Sequence, residues 1–150
     1  MALVVGSPVS GTVVGLSGVS DPVFAAAMVG PGTAVDPVRA PGHVCAPVAG
    51  VLRKLKPHAF IVVTDDGHGV LVHLGIDTIR LDGAGFRLIA TEGDWVAAGE
   101  PVVAWDPAEV ATRGFSPICP VIALDATDDV LSDHSKHGPV EAGEPLFSWN

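Results

Sequence analysis

At 150 residues, 48% of them apolar, the chain has the length of one domain. A domain of that size buries about 68–70% of the surface its unfolded form exposes. A formal charge of −9 removes the basic surface that nucleic-acid phosphates or an anionic membrane would require. No apolar run approaches the ~18 residues of a spanning helix, since Val23 to Val29 ends at Gly30, so no direct membrane insertion is expected.

Read from the start, Met1 to Gly6 lacks the basic flank and long apolar stretch of a secretory signal, which points to a cytoplasmic chain. Short runs rich in valine and isoleucine then recur between glycines and prolines: Thr12 to Leu16, Ala46 to Leu55, Ala59 to Thr64, Val70 to Leu74, Pro101 to Trp105 and Pro120 to Leu124. That spacing predicts an all-β, single-domain antiparallel sandwich or barrel. Helix is scarce. The best candidate is Asp106 to Arg113, with Asp106 as N-cap, Pro107 in the first turn and Gly114 past the end. A second short helical or turn segment is expected at Thr127 to His134. Cys45 and Cys119 form no disulfide framework and read as reduced core residues. No linker or change of composition divides residues 1–150.

Two internal echoes run through the chain. Ser7-Pro8-Val9-Ser10-Gly11 resembles Ala46-Pro47-Val48-Ala49-Gly50, and Val96-Ala97-Ala98-Gly99-Glu100-Pro101-Val102 resembles Val140-Glu141-Ala142-Gly143-Glu144-Pro145-Leu146. The members of the second pair lead to Trp105 and Trp149. Recurrent turn chemistry and a barrel of two similar halves both account for these echoes.

The segment from Ala59 to Leu74 carries the chemistry. Asp66-Gly67 between two β-rich runs signals a hairpin. A two-residue loop pairs Phe60 with His73 and sets His58 diagonally across on the same face, within roughly 7–8 Å. A four-residue loop keeps that register, whereas a three-residue loop puts the two rings on opposite faces. An imidazole in an apolar strand needs a partner, so two of them suggest a built site.

Three chemistries suit such a pair. Neutral imidazole is a nucleophile for phosphoryl groups if its other nitrogen is held by an acceptor, and a second imidazole can then steady the phosphoryl oxygens. Zinc would require a third ligand, for which Asp77 is in reach. His68 points to the other face in the two-residue-loop register, and His43 and the His134-x-x-His137 pair lie in polar loops. Ser–His–Asp hydrolysis lacks a G-x-S-x-G elbow. A carrier lysine is missing from the hairpin tip Asp65-Asp66-Gly67-His68. No cofactor or resident metal is expected.

Val72-His73-Leu74-Gly75-Ile76-Asp77-Thr78, followed by Leu81-x-Gly83-x-Gly85-Phe86, resembles the phosphorylation-site signature of the glucose-type IIA domains of the bacterial phosphoenolpyruvate-dependent sugar phosphotransferase system. The resemblance extends through Asp21-Pro22-Val23-Phe24, Ala46-Pro47-Val48, His58-Ala59-Phe60 and Glu92-Gly93-Asp94, covering Val4 to Ser148. It implies a duplicated β-sandwich or barrel with Greek-key features and a cytoplasmic phosphocarrier role. His73 would be the phosphoryl acceptor, as a tele-phosphohistidine, and His58 would stabilise the phosphoryl group. Asp77 would orient the site, and Val23, Phe24, Phe60, Leu71 and Ile76 would form an apolar docking surface. The implied partners are the phosphocarrier HPr, an EIIB domain of a sugar permease (EIIBC) and regulatory proteins. One departure stands out: Leu55-Lys56-Pro57-His58 is short and has lysine where many members place threonine, two residues before the histidine. The alternative is a metal-dependent hydrolase of similar β topology, which would call for a His-x-His pair where this chain has Gly75.

Overall fold

The valine-rich runs become strands in the computed structural model, which describes residues 2–25 and 28–150. In chain order the strands are β1 (Leu3–Gly6), β2 (Gly11–Val13), β3 (Gly32–Pro37), β4 (Gly42–Cys45), β5 (Gly50–Lys56), β6 (Ala59–Val63) and β7 (Gly69–His73). They continue as β8 (Phe86–Leu88), β9 (Trp95–Val96), β10 (Pro101–Trp105), β11 (Cys119–Ala123), β12 (Leu131–Ser132), β13 (Gly138–Val140) and β14 (Pro145–Trp149). Among the described residues, two short helices, α1 (Pro22–Ala25) and α2 (Pro107–Thr112), complete the set with three 3-10 turns, at Leu16–Gly18, Thr78–Leu81 and Asp128–Val130. All strand pairs are antiparallel. They form an eight-stranded sheet, β13-β2-β3-β11-β7-β6-β5-β9, and two three-stranded sheets, β1-β14-β12 and β4-β10-β8.

Most expected boundaries hold to within a residue or two. Helix α2 ends as its caps dictate: the Asp106 carboxylate accepts from Ala108 N at 3.0 Å, and Gly114 follows with a left-handed φ of 91°. The expected strand at Ala46 to Leu55 starts later, at Gly50. Pro47 has no N–H for a ladder, and its carbonyl accepts from Gly6 N at 2.9 Å instead. Thr127 to His134 resolves into the 3-10 turn and β12. Cys119 is buried and Cys45 half-buried, both as free thiols.

The echoes are the two halves of a duplicated fold. Gly6 N bonds Pro47 O, and Cys45 N bonds Pro8 O. Ser7 N bonds Glu144 O while Gly143 N bonds Ser7 O, and Ala46 and Glu100 with Gly99 repeat that exchange. β2 pairs with β3 and β13 as β5 pairs with β6 and β9. β11 and β7 meet at the centre, where Val121 faces Val72. Following the registers outward carries His73 of one half onto Ile122 of the other, a fully buried residue. The histidine belongs to one half alone.

One large valine-rich cluster fills the space between the sheets. A smaller one, Val19, Phe24, Ala34, Ile76 and Ile122, covers the outer face of the central strands. Strand crossing is close enough at two equivalent points to demand glycine. A Cβ on Gly11 would lie 2.0 Å from Asp36 O, and one on Gly50 would lie 2.2 Å from Val63 O. Gly50→Ala is therefore expected to lower stability by about 1–3 kcal/mol through overpacking against main chain. Gly42→Ala, whose Cβ meets nothing within 4 Å, should change little. Urea unfolding of the two variants beside the parent protein measures the contrast.

Candidate functional site

The hairpin between β6 and β7 sets the site, and it does so in a register other than the two-residue-loop one. The turn holds three residues, Asp65, Asp66 and Gly67. Thr64 N bonds His68 O at 3.0 Å, Gly67 N bonds Thr64 O at 2.9 Å, and the Thr64 hydroxyl accepts from His68 N at 3.1 Å. Gly67, with φ 86°, supplies the left-handed residue of a three-residue loop. Ala59 therefore pairs with His73, and Phe60 with Val72. Strict alternation would now set His58 and His73 on opposite faces, yet their ring centroids lie 5.4 Å apart at 65°. His58 escapes alternation because it sits beside Pro57 in the two-residue turn joining β5 to β6. Its carbonyl stays in the ladder, accepting from Leu74 N at 2.7 Å, which anchors the turn to the strand carrying His73.

His73 ends β7, and the chain immediately turns back over it. Gly75, at φ 84°, aims its carbonyl at His73 Nδ1, 2.5 Å away. Three further bonds hold that turn. Thr78 Oγ1 donates to Leu74 O at 2.7 Å, Ile76 N donates to Ser116 O at 2.9 Å, and Arg80 N donates to Asp77 O at 3.1 Å. A carbonyl can only accept, so Nδ1 carries the proton and Nε2 keeps its lone pair. The Phe24 ring packs 5.4 Å from that of His73 at 59°. Burial pulls the His73 pKa below its ordinary value near 6.5, while the Gly75 bond and the charges of Asp21 and Asp77 pull the other way. The His58 pKa is also lowered, first by burial and then by the positive charges available to His73 and Lys56. Both rings are thus mainly neutral at pH 7.

The expected apolar surface needs correction. Val23 is 42% exposed and Leu71 is half-buried, so both remain available to a partner. Phe60 is 1% exposed, because the three-residue loop turns it inward with Val72; it belongs to the main core. Ile76, pinned by Ser116, is 5% exposed and lies in the smaller cluster. Phe24 is buried against His73. Asp77 makes no hydrogen bond to either ring; it acts on His73 through charge, from a left-handed backbone at φ 60°. Sequence reasoning missed three contributors: the Gly75 carbonyl, the Thr78 hydroxyl and Asp21. Asp21 had a signal, since Asp-Pro opens helices, and its carboxylate accepts from Val23 N at 2.8 Å ahead of α1. Ile79, at 64% exposure, adds an apolar side chain just beyond the turn.

Residues 3–129 match the family model described as phosphoenolpyruvate-dependent sugar phosphotransferase system, EIIA 1. The chain belongs to this EIIA family. It is 37% identical over 141 residues to the glucose-specific EIIA component of Oceanobacillus iheyensis, covering 92% of this chain and 84% of that protein. It is 35% identical over 147 residues to the beta-glucoside-specific EIIBCA component of Bacillus subtilis. That match covers 97% of this chain and 24% of the relative, so the chain spans about a quarter of it. The solved glucose permease IIA from Mycoplasma capricolum superposes with a TM-score of 0.91 at 35% identity, over 99% of this chain and 96% of that one. These relatives are phosphotransferase-system components and lend no support to a metal-dependent hydrolase. Among the described residues no group of three or more His, Cys, Asp or Glu side chains could hold a metal ion, and no helix is long and apolar enough to cross a membrane.

The lowered pKa values carry a stability consequence. Between the unfolded value near 6.5 and the lower folded midpoints, the unfolded chain binds more protons than the folded one. Stability should therefore fall as pH descends through that window, and His73→Gln should flatten the slope. Urea midpoints recorded from pH 7.5 to 5 check the sign. Nitrogen-15 NMR at pH 7.5 should find His73 with its proton on Nδ1.

Proposed function

We propose that His73 is the phosphoryl acceptor of a phosphocarrier domain in sugar uptake, reacting through Nε2. The hydrogen bond from Nδ1 to the Gly75 carbonyl carries this reading, because it leaves Nε2 as the free nucleophile. The donor is the phosphohistidine of HPr. The N–P bond of the donor breaks as the Nε2–P bond forms, and the Nδ1 proton stays where it is. Bonding to phosphorus draws electron density out of the ring, leaving it partly cationic. The Gly75 carbonyl and the carboxylates of Asp21 and Asp77 lie where they favour that charge. His58 donates an N–H to a phosphoryl oxygen, spreading the negative charge that moves with the group. In the second transfer a cysteine thiolate of an EIIB domain attacks phosphorus, and Nε2 leaves with its lone pair restored. Partners approach over Val23, Leu71 and Ile79, whose apolar surface excludes water while the group is in flight. The setting is the cytoplasmic side of a membrane-bound sugar permease.

Incubation with phosphoenolpyruvate and the two general proteins of the system should add the mass of one phosphate, mapped to His73. His73→Ala should keep its circular dichroism and lose the increment; uptake by that variant would overturn the assignment. His58→Ala should fold and accept phosphate, at a rate lower by about 10²-fold, the usual scale for losing one transition-state hydrogen-bond donor. Parental rates in a rapid-quench assay would remove His58 from the mechanism.

A further inference from the structure

Lys56 stands two residues before the second histidine. Lys56 closes β5 and pairs with Ala59, and Ala59 pairs with His73. Residues directly opposed in antiparallel ladders share a face, so Lys56, Ala59 and His73 form one row across three strands. Two strand spacings separate the ends of that row, roughly 10 Å between main chains. The residue between them is a half-buried alanine, whose single methyl is far shorter than a four-carbon lysine stem. His58 projects from the adjoining turn, with its ring against that of His73.

The charges around this space are unevenly placed. Asp77, from the turn after β7, and Asp21, from the segment before α1, act on His73. Lys56 acts on His58 and is, apart from the two histidines themselves, the one cation among the causes that shift either ring. A phosphoryl group on Nε2 brings a charge of about −1.5 to −2 into the neighbourhood of two carboxylates. Neutral His58 can offer a hydrogen bond, but it offers no net charge.

We propose that Lys56 is a phosphoryl-binding residue: its ammonium crosses over Ala59 and pairs with the oxygens of the phosphoryl group on His73. The pairing is made with the phosphorylated state, so it shifts the phosphoryl equilibrium toward this protein at the expense of its donor. The inference rests on the reading of His73 as acceptor and adds a second, cationic contact to that site.

The test is the exchange equilibrium between phosphorylated HPr and this protein, read as the phosphorylated fraction by intact-protein mass spectrometry. Lys56→Met should lower the equilibrium constant about fivefold at low ionic strength, the scale of one partly exposed charge pair. Lys56→Arg should restore it, and the deficit of the Met variant should shrink in high salt. In phosphorus-31 NMR of the isolated phosphoprotein, the last phosphoryl proton should leave at higher pH in the Met variant than in the parent. An unchanged equilibrium and titration in Lys56→Met, or an Arg variant as impaired as Met, would overturn the proposal. If the parent protein takes up no phosphate at all, the reading of His73 fails instead, so the two failures are distinguishable.

Discussion

The two halves of the molecule are tied by reciprocal main-chain bonds, Gly6 N to Pro47 O and Cys45 N to Pro8 O. Each joins the strand that precedes a Pro-Val-x-Gly bend to the bend of the opposite half. These bonds use carbonyls of prolines, residues that cannot donate to a neighbouring strand, so the crossing satisfies main chain that ordinary ladders would leave open. Once the halves are locked, β7 and β11 must meet in the middle of the long sheet with Val72 opposite Val121. The end of β7 then falls at a border: buried under Phe24 on one side, open beside the β5–β6 turn on the other. A reactive imidazole needs that kind of border, dry enough to stay neutral and open enough to meet another protein. The equivalent position on β11, Ile122, lies wholly inside the smaller cluster, and chemistry there would be out of reach.

Neutral Nε2 is secured by the backbone more than by any charged neighbour. Asp21 and Asp77 raise proton affinity at His73, and burial lowers it by more. The Gly75 carbonyl, held in place by Thr78 and Ser116 through the turn that contains it, decides which nitrogen is free. In the proposed transfer, the carboxylates therefore favour the charge that develops without protonating the resting imidazole.

Much of this was legible from residues alone. The capped helix after Asp106, the strand at Pro101 to Trp105 and the duplicated bends all have local causes written in short patterns. The register did not. Asp66-Gly67 suits a two-residue turn and a three-residue one equally well, and the Thr64 hydroxyl that caps His68 N selects the latter. The same error carried Phe60 to the outer face, while Ile76 was misplaced because its partner, Ser116, is forty residues away in sequence. The two histidines still meet because His58 occupies a turn, where alternation has no force. The acceptor carbonyl of Gly75 was invisible because main-chain direction after a glycine depends on φ, which residue identity leaves open.

His58 has its carbonyl in the ladder and its side chain in a two-residue turn. The frame of the second histidine is thus inherited from the sheet, while everything immediately before it belongs to a hairpin tip that can change length and chemistry at small cost to the core. Such a tip lets residues beside the histidine pair vary without redrawing the strand that carries His73. Lys56 and Pro57 stand at that tip, outside the strand that carries His73.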